Sequence, residues 1–269
     1  SILLMFFVLT CGHAVDAKPF KVVLLSPAKK SEVFWGSVVG VCEEAAKDLE
    51  IDLQIVYANR NRKLFVLAAK EAIDNKVDYL IAGNYQKTLP TILDYANSKK
   101  VKCFVINSTI FPEDRRKIGG PRAAYQHWIG EMYPDDVSVG RALGKYLFSL
   151  AKAVSGKEKI EAVGIGGLHG SKASSDRIKG FQLAVSEDPL VTLNQIVHGD
   201  WSTSKASAQA KRLSKRYPQT SVYWCANDPM GIGVAKALEE LKLQPGKKTF
   251  TCGVDFELDA LNLLKSGKI

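Results

Sequence analysis

Five polar side chains lie at or just beyond the ends of apolar runs that predict β-strands: Ser26, Asn84, Asn107, Asn227 and Asp255. In open parallel sheets, ligands bind in the crevice beyond the carboxyl ends of the strands. Hydroxyl, amide and carboxylate groups together can satisfy a ligand that both donates and accepts hydrogen bonds. These residue types predict non-covalent binding of a small polar molecule.

Three aromatic side chains are predicted to join this site: Phe34, Trp35 and Trp201. A sugar ring has apolar C–H faces and a rim of hydroxyl groups, so a sugar site stacks aromatic rings on the faces and directs polar groups at the rim. Phe34 shares a helical apolar stripe with Val38, which makes a core position an equal alternative, whereas Trp35 lies off that stripe. Packing against the helix that follows is the alternative for Trp201.

The segment 222–233 runs from an apolar strand directly into Asn227, Asp228 and Pro229. Pro229 fits the first turn of a helix, where its missing N–H is not needed. We predict that Asp228 caps this helix and that Asn227, whose amide both donates and accepts, contacts the ligand. The alternative is that both residues only cap. For Asn84 and Asn107, turns bonded to their own backbone are an equal alternative.

The sequence predicts no catalytic residue, metal site or cofactor. The loop Gly164–Gly170 follows a predicted strand, but its glycines lack the spacing of a dinucleotide-binding or phosphate-binding loop, so it predicts a flexible loop near the cleft. The motif of a serine nucleophile and the paired carboxylates of a glycosidase are also missing. Cysteines and histidines are too dispersed for a zinc site.

The 269 residues carry a formal net charge of +9. Lys and Arg are scattered rather than gathered into one basic stripe, which argues against nucleic acid as a partner. Residues 1–17 form an apolar run followed by small residues, which predicts a partial signal peptide and export to the periplasm. A buried strand is the alternative for this run, and Cys11 is a poorer fit to a lipoprotein acceptor site. A soluble monomer is expected.

Apolar strand patterns alternate with amphipathic helix patterns along the whole chain after the leader. Between about residues 107 and 135 this alternation breaks into a long irregular segment, where we place the crossing between two lobes. The prediction is an α/β fold with two doubly wound parallel-sheet lobes joined by a hinge. The N-terminal lobe is assigned residues 18–126 and 256–269, and the C-terminal lobe residues 127–255.

The segment Cys225–Met230, followed by Gly233, Pro245-Gly246 and Gly253-Val254-Asp255, resembles the second-lobe signature of type I periplasmic binding proteins, the ribose-binding and LacI-like superfamily. The resemblance covers roughly residues 20–269. Pro121-Arg122 with His127-Trp128-Ile129-Gly130 is similar to a subgroup of ABC-transporter substrate-binding proteins that is distantly related to the LuxP autoinducer receptor.

The resemblance implies two lobes joined by three crossings that enclose a sugar-like ligand. It implies an exported solute-binding protein that delivers this ligand to an ABC permease, or alternatively a sensing subunit that partners a membrane kinase or cyclase. Ser175 stands where pentose binders carry arginine, Tyr85 stands where the subgroup carries Glu, and Lys29 and Lys30 add positive charge near the mouth. These departures allow a modified or partly anionic ligand. The resemblance also implies that a last strand and helix of the first lobe would follow Ile269.

Overall fold

The computed structural model describes residues 18–156 and 159–269, and the predicted leader lies outside them. The first lobe contains a parallel five-stranded sheet in the order β2-β1-β3-β4-β5. Its strands are β1 (Lys21–Ser26), β2 (Asp52–Tyr57), β3 (Tyr79–Ala82), β4 (Lys102–Ile106) and β5 (Trp128–Met132). Its helices are α1 (Val33–Asp48), α2 (Arg62–Asp74), α3 (Leu89–Ser98) and α4 (Pro112–Ile118), with a 3-10 turn at Tyr85–Lys87.

The second lobe contains a parallel four-stranded sheet in the order β7-β6-β8-β9. Its strands are β6 (Ile160–Gly166), β7 (Val191–His198), β8 (Thr220–Cys225) and β9 (Phe250–Thr251). Its helices are α5 (Asp136–Ser155), α6 (Lys172–Ser186), α7 (Thr203–Arg216), α8 (Asp228–Glu240) and α9 (Leu258–Lys265). Each lobe buries its own core, so the predicted α/β fold with two parallel-sheet lobes is confirmed.

The stretch predicted as irregular, residues 107–135, contains α4 and β5. β5 pairs with β4 in the first sheet, so the first lobe extends past residue 127, where the second lobe was predicted to begin. Only Trp128 of this edge strand is fully buried, so the strand carries no apolar run for sequence analysis to detect. The chain crosses to the second lobe between β5 and α5.

The C-terminal segment also differs from its prediction. Residues 256–269 were assigned to the first lobe, but α9 packs against α8 of the second lobe. The Lys268 ammonium lies 2.6 Å from the Glu239 carboxylate of α8. Apolar side chains of α9 line a groove that α5 and β9 also line. The apolar face of this amphipathic helix is therefore directed at the second lobe. Within the described residues the chain therefore crosses between the lobes once, where the family resemblance implied three crossings.

Helices α5 and α6 approach each other at two glycines. A Cβ atom on Gly140 would lie 2.0 Å from the Arg177 carbonyl oxygen, and one on Gly180 would lie 2.0 Å from the Val137 carbonyl oxygen. Glycine at both positions therefore lets the two backbones touch. This contact fixes α6, which carries Arg177, against the start of α5, which carries Asp136.

In the described part of the chain, no helix has both the length and the apolar character required for a membrane span.

Candidate ligand-binding cleft

A cleft between the two lobes encloses about 720 Å³, part of which is open to solvent. Its walls come from loops that follow the carboxyl ends of strands in both sheets, as the parallel topology requires. Seven of the eight predicted site residues line it: Phe34, Trp35, Asn84, Asn107, Trp201, Asn227 and Asp255. Their proximity is a property of the fold, and their role in binding stays a prediction.

Phe34 and Trp35 form the aromatic wall contributed by the first lobe. They lie in the first turn of α1, with ring centroids 5.6 Å apart and ring planes at 90°. The edge of one ring therefore packs on the face of the other, a favourable arrangement for aromatic pairs. Trp35 is buried and Phe34 half-buried, and both line the cleft.

Trp201 faces the cleft from the second lobe. It follows β7 in a turn where both Asp200 (φ 52°) and Trp201 (φ 62°) adopt left-handed backbone conformations. Its indole occupies the space beside Gly167, where a Cβ atom would lie 2.2 Å from the ring. Trp201 also packs against the second-lobe core, so the ring is held in place on one side.

The helix cap predicted for Asp228 is made by Asn227 in the structure. Asn227 is the N-cap of α8, because its Oδ1 accepts from the Met230 backbone N–H at 3.1 Å. Asp228 is already helical, and its carboxylate accepts from the Glu257 backbone N–H at 2.7 Å, which fastens the loop after β9. Asn227 uses its oxygen for the cap, and its Nδ2 group has no partner among the described residues, which leaves it as a donor at the cleft.

Asn84 is engaged at both ends of its amide. Nδ2 donates to the Thr109 carbonyl at 2.8 Å, and Oδ1 accepts from the Leu89 N–H at 3.2 Å. These bonds favour the turn alternative, although one Nδ2 hydrogen is still free. Asn107 differs, since its backbone is left-handed (φ 63°) and its side chain has no hydrogen-bond partner within the described residues.

Ser26 is the predicted site residue that does not line the cleft. Its side chain is fully buried, and its Oγ accepts from the Ala28 N–H at 3.3 Å. A serine at the end of a strand can stabilise the following turn in this way, so its position did not require a ligand.

A buried ionic cluster at the floor of the cleft joins the predicted residue Asp255 to Arg177 and Asp136, which were not among the predicted site residues. Arg177 of α6 donates from Nε to Asp136 at 2.7 Å and from Nη1 to the Ala226 carbonyl at 2.6 Å. Burial raises the pKa of Asp255 to about 7, against the opposing effect of the Arg177 guanidinium. The same desolvation raises the pKa of Asp136.

A second ion pair stands at the first-lobe side of the cleft. The Arg60 Nε donates to both carboxylate oxygens of Glu32, each at 3.1 Å. Arg60 lines the cleft, whereas Lys29 and Lys30 are exposed and lie outside its lining. Because Glu32 pairs with Arg60 and Asp136 pairs with Arg177, both arginines of the cleft have an acidic partner.

Within residues 18–156 and 159–269, no group of three or more His, Cys, Asp or Glu side chains could hold a metal ion. Cys103, Cys225 and Cys252 are buried free thiols, and Cys42 is partly buried.

The model of the periplasmic binding protein domain family matches residues 22–269. This chain belongs to the periplasmic binding protein family. The predicted membership is thereby confirmed over nearly all the described residues, and the two-lobed architecture agrees with it.

Solved and curated relatives place this periplasmic binding protein among proteins named for sugars. It is 35% identical to a periplasmic sugar-binding protein from Pseudomonas fluorescens, with a TM-score of 0.83 and coverage of 92% of this chain and 73% of that one. It is 23% identical over 243 residues to the galactofuranose-binding protein YtfQ of Escherichia coli (strain K12), covering 88% of this chain and 72% of the relative. It is 25% identical over 245 residues to the D-allose-binding periplasmic protein of the same strain, covering 89% and 74%.

Proposed function

We propose that this periplasmic binding protein captures a sugar between its two lobes and delivers it to an ABC permease. One observation carries the proposal: aromatic rings and hydrogen-bonding groups from both lobes converge on one cleft. Phe34, Trp35 and Trp201 supply ring-sized apolar surface, while Asn107 and Asn227 keep free amide groups for hydroxyls. The names of the relatives, which refer to galactofuranose, D-allose and sugars in general, support this class of ligand.

The ion pairs of the cleft favour a neutral sugar over an anionic one. Arg60 and Arg177 are each neutralised by a carboxylate, and the raised pKa of Asp255 means that burial opposes a further charge there. An anionic sugar would need an unpaired cation, and taking either arginine from its partner would leave a carboxylate exposed to that anion. The ligand proposed here is therefore an unmodified sugar, in contrast to the partly anionic ligand that the sequence allowed.

Export to the periplasm belongs to the same proposal, since the named relatives include periplasmic proteins and residues 1–17 resemble a leader. A kinase or cyclase partner stays a prediction from the resemblance. No reaction is proposed.

A thermal-shift screen of residues 18–269 tests the function directly, because a ligand that binds only the folded state raises its melting temperature. The screen contains neutral pyranoses, neutral furanosides, polyols, uronates and sugar phosphates. We expect the largest increase with a neutral sugar. The proposal is wrong if no sugar changes the melting temperature, and its neutral-ligand part is wrong if a uronate or a sugar phosphate gives the largest increase.

A further inference from the structure

Two histidines of the second lobe, His169 and His198, lie side by side at one end of its sheet. His198 is the last residue of β7, and its backbone is in register with Gly166 at the end of β6. His169 follows β6 in the loop that leads to α6. The centroids of the two imidazole rings are 5.4 Å apart, with the ring planes at 75°. The parallel pairing of β6 and β7 therefore brings together two histidines that are far apart in the sequence.

The His198 ring is oriented by the backbone of the same loop. Its Nδ1 lies 2.7 Å from the Gly167 carbonyl oxygen. A carbonyl oxygen only accepts hydrogen bonds, so Nδ1 carries the proton and donates it, and Nε2 of the neutral ring keeps a lone pair. Histidines that bind a metal ion commonly donate their other ring N–H in this way, which fixes the tautomer and the orientation of the ring. The bond also anchors part of the glycine-rich loop that the sequence predicts to be flexible.

The His169 ring is available as a second ligand. His169 is exposed, and its ring nitrogens have no hydrogen-bond partner among the described residues. His198 is also exposed, so dissolved ions can reach both rings. Lys172 and Lys205, which follow the two histidines in sequence, each form an ion pair with a nearby aspartate. Their positive charges are therefore largely neutralised and oppose a bound cation only weakly.

The separation of the two rings matches that of two ligands of one metal ion. When two imidazoles bind the same tetrahedral Zn²⁺ through bonds of about 2.0–2.1 Å, their ring centroids are about 5 Å apart. The separation of His169 and His198, 5.4 Å, agrees with this arrangement. Imidazole nitrogen suits Zn²⁺, Ni²⁺ and Cu²⁺, whereas Mg²⁺ prefers oxygen ligands. Among the described residues no cluster of three ligand side chains forms here, so water completes the coordination of such an ion.

We propose that His169 and His198 bind one divalent ion of the Zn²⁺ and Ni²⁺ class, held between Nε2 of His198 and a ring nitrogen of His169. The metal site is separate from the sugar cleft, since neither histidine lines it. It lies directly behind the cleft wall, because the loop anchored by His198 contains Gly167, which packs against the Trp201 indole. A bound ion joins this loop to the end of β7 and so restrains the wall that carries Trp201.

Isothermal titration calorimetry of residues 18–269, without a polyhistidine tag and without sugar, tests the site. We expect one Zn²⁺ or one Ni²⁺ per protein and no binding of Mg²⁺ at the same concentrations. His169→Gln removes one ligand. His198→Asn removes the other, but the Asn Nδ2 group can still donate to the Gly167 carbonyl and preserve the loop. Each variant should weaken binding about 10–100-fold or more.

His127 provides the matched control, because it is the remaining histidine of residues 18–269 and lies in the first lobe beside Asn97. His127→Gln should bind Zn²⁺ like wild type. Circular dichroism establishes that each variant is folded. Long-range ¹H–¹⁵N spectra of the wild-type histidine rings decide the result if a variant is not. Zn²⁺ should shift the signals of Nε2 of His198 and of one His169 nitrogen, and leave those of His127 unchanged.

Three results would overturn the metal site. Zn²⁺ and Ni²⁺ could bind no more tightly than Mg²⁺, either His169→Gln or His198→Asn could bind like wild type, or His127→Gln could weaken binding as much as they do. Unchanged His169 and His198 signals on addition of Zn²⁺ would have the same meaning. Because the measurements contain no sugar, their outcome is independent of whether the protein binds one.

Discussion

The Arg177 guanidinium lies 3.8 Å from the Asp255 carboxylate at the floor of the cleft. Arg177 already donates to Asp136 and to the Ala226 carbonyl, so its attraction to Asp255 only partly offsets the loss of water around that carboxylate. The side chains of both Arg177 and Asp255 are less than one-tenth exposed. Asp255 and Arg177 should therefore affect how the stability of the protein depends on pH and on substitution.

The protein should become less stable as the pH rises through the range in which folded Asp255 ionises. Burial raises its pKa from 3.8 to about 7. Between these values the folded state binds more protons than the unfolded state, so the free energy of unfolding decreases with rising pH. Asp255→Asn removes this contribution, and its melting temperature relative to wild type should increase by several degrees between pH 5 and pH 8.

The control for this measurement is Asp135→Asn at the N-cap of α5. Hydrogen bonds from Ser138 lower the pKa of Asp135, so its contribution to stability is present at neutral pH and is lost as the pH falls. A difference between Asp255→Asn and wild type that does not change between pH 5 and pH 8 would contradict the raised pKa.

Removing Arg177 should destabilise the fold as well as the cleft. Arg177→Met leaves Asp136 buried without its cationic partner, which costs about 3–5 kcal/mol in comparable buried pairs. Urea unfolding measures this loss. Arg177→Met combined with Asp136→Asn should recover part of it, because the unpaired carboxylate is then removed. Arg141→Met, which breaks an exposed pair with Glu187, should change little. Equal effects of Arg177→Met and Arg141→Met would refute the importance of the buried pair.

Asn227 should have separable roles in folding and in binding. Asn227→Ala removes the bond to the Met230 N–H and should lower the free energy of unfolding by about 1 kcal/mol. Asn227→Ser retains a capping oxygen but loses the Nδ2 donor, so it should be nearly as stable as wild type. With a sugar identified in the screen, both variants should lose most of the thermal shift. A normal shift in Asn227→Ser would assign this residue to the cap alone.

Gly167→Ala should affect the cleft although it adds only one methyl group. That group would lie 2.2 Å from the Trp201 indole, so either the ring or the loop must move. We expect a reduced sugar-induced thermal shift, comparable to that of Trp201→Ala. Gly40→Ala is the control, because a Cβ atom there meets nothing within 4 Å and alanine favours the helix by about 0.5–1 kcal/mol. An unchanged thermal shift in Gly167→Ala would show that the indole is not held as described.

The sequence predicted most of the fold because buried parallel strands are apolar runs and their covering helices are amphipathic. It missed β5, since an edge strand with one buried residue has neither pattern. It placed the polar residues of the cleft well, because strand ends are visible in the sequence and parallel strands end at the same edge. It assigned the cap to Asp228 rather than to Asn227, because both residue types are good N-caps and the choice depends on where the helix starts.

The ionic cluster could not be predicted by the same reasoning. Arg177 lies on a helix, and its partners come from α5 and from the segments after β8 and β9, far away in sequence. Such contacts depend on how helices cross, which periodicity does not specify. Ser26 shows the opposite error, since a polar residue at a strand end can be satisfied by the backbone beside it.

Gly140 of α5 and Gly180 of α6, at which the two helix backbones touch, should affect the cleft indirectly. A methyl group at Gly140 or Gly180 would wedge the two helices apart and carry Arg177 away from Asp255. In a saturation-mutagenesis survey of sugar binding, most substitutions at these two positions would reduce binding. The two positions would therefore resemble residues that contact the ligand directly. Their intolerance would reflect the spacing of two backbones that never meet the sugar.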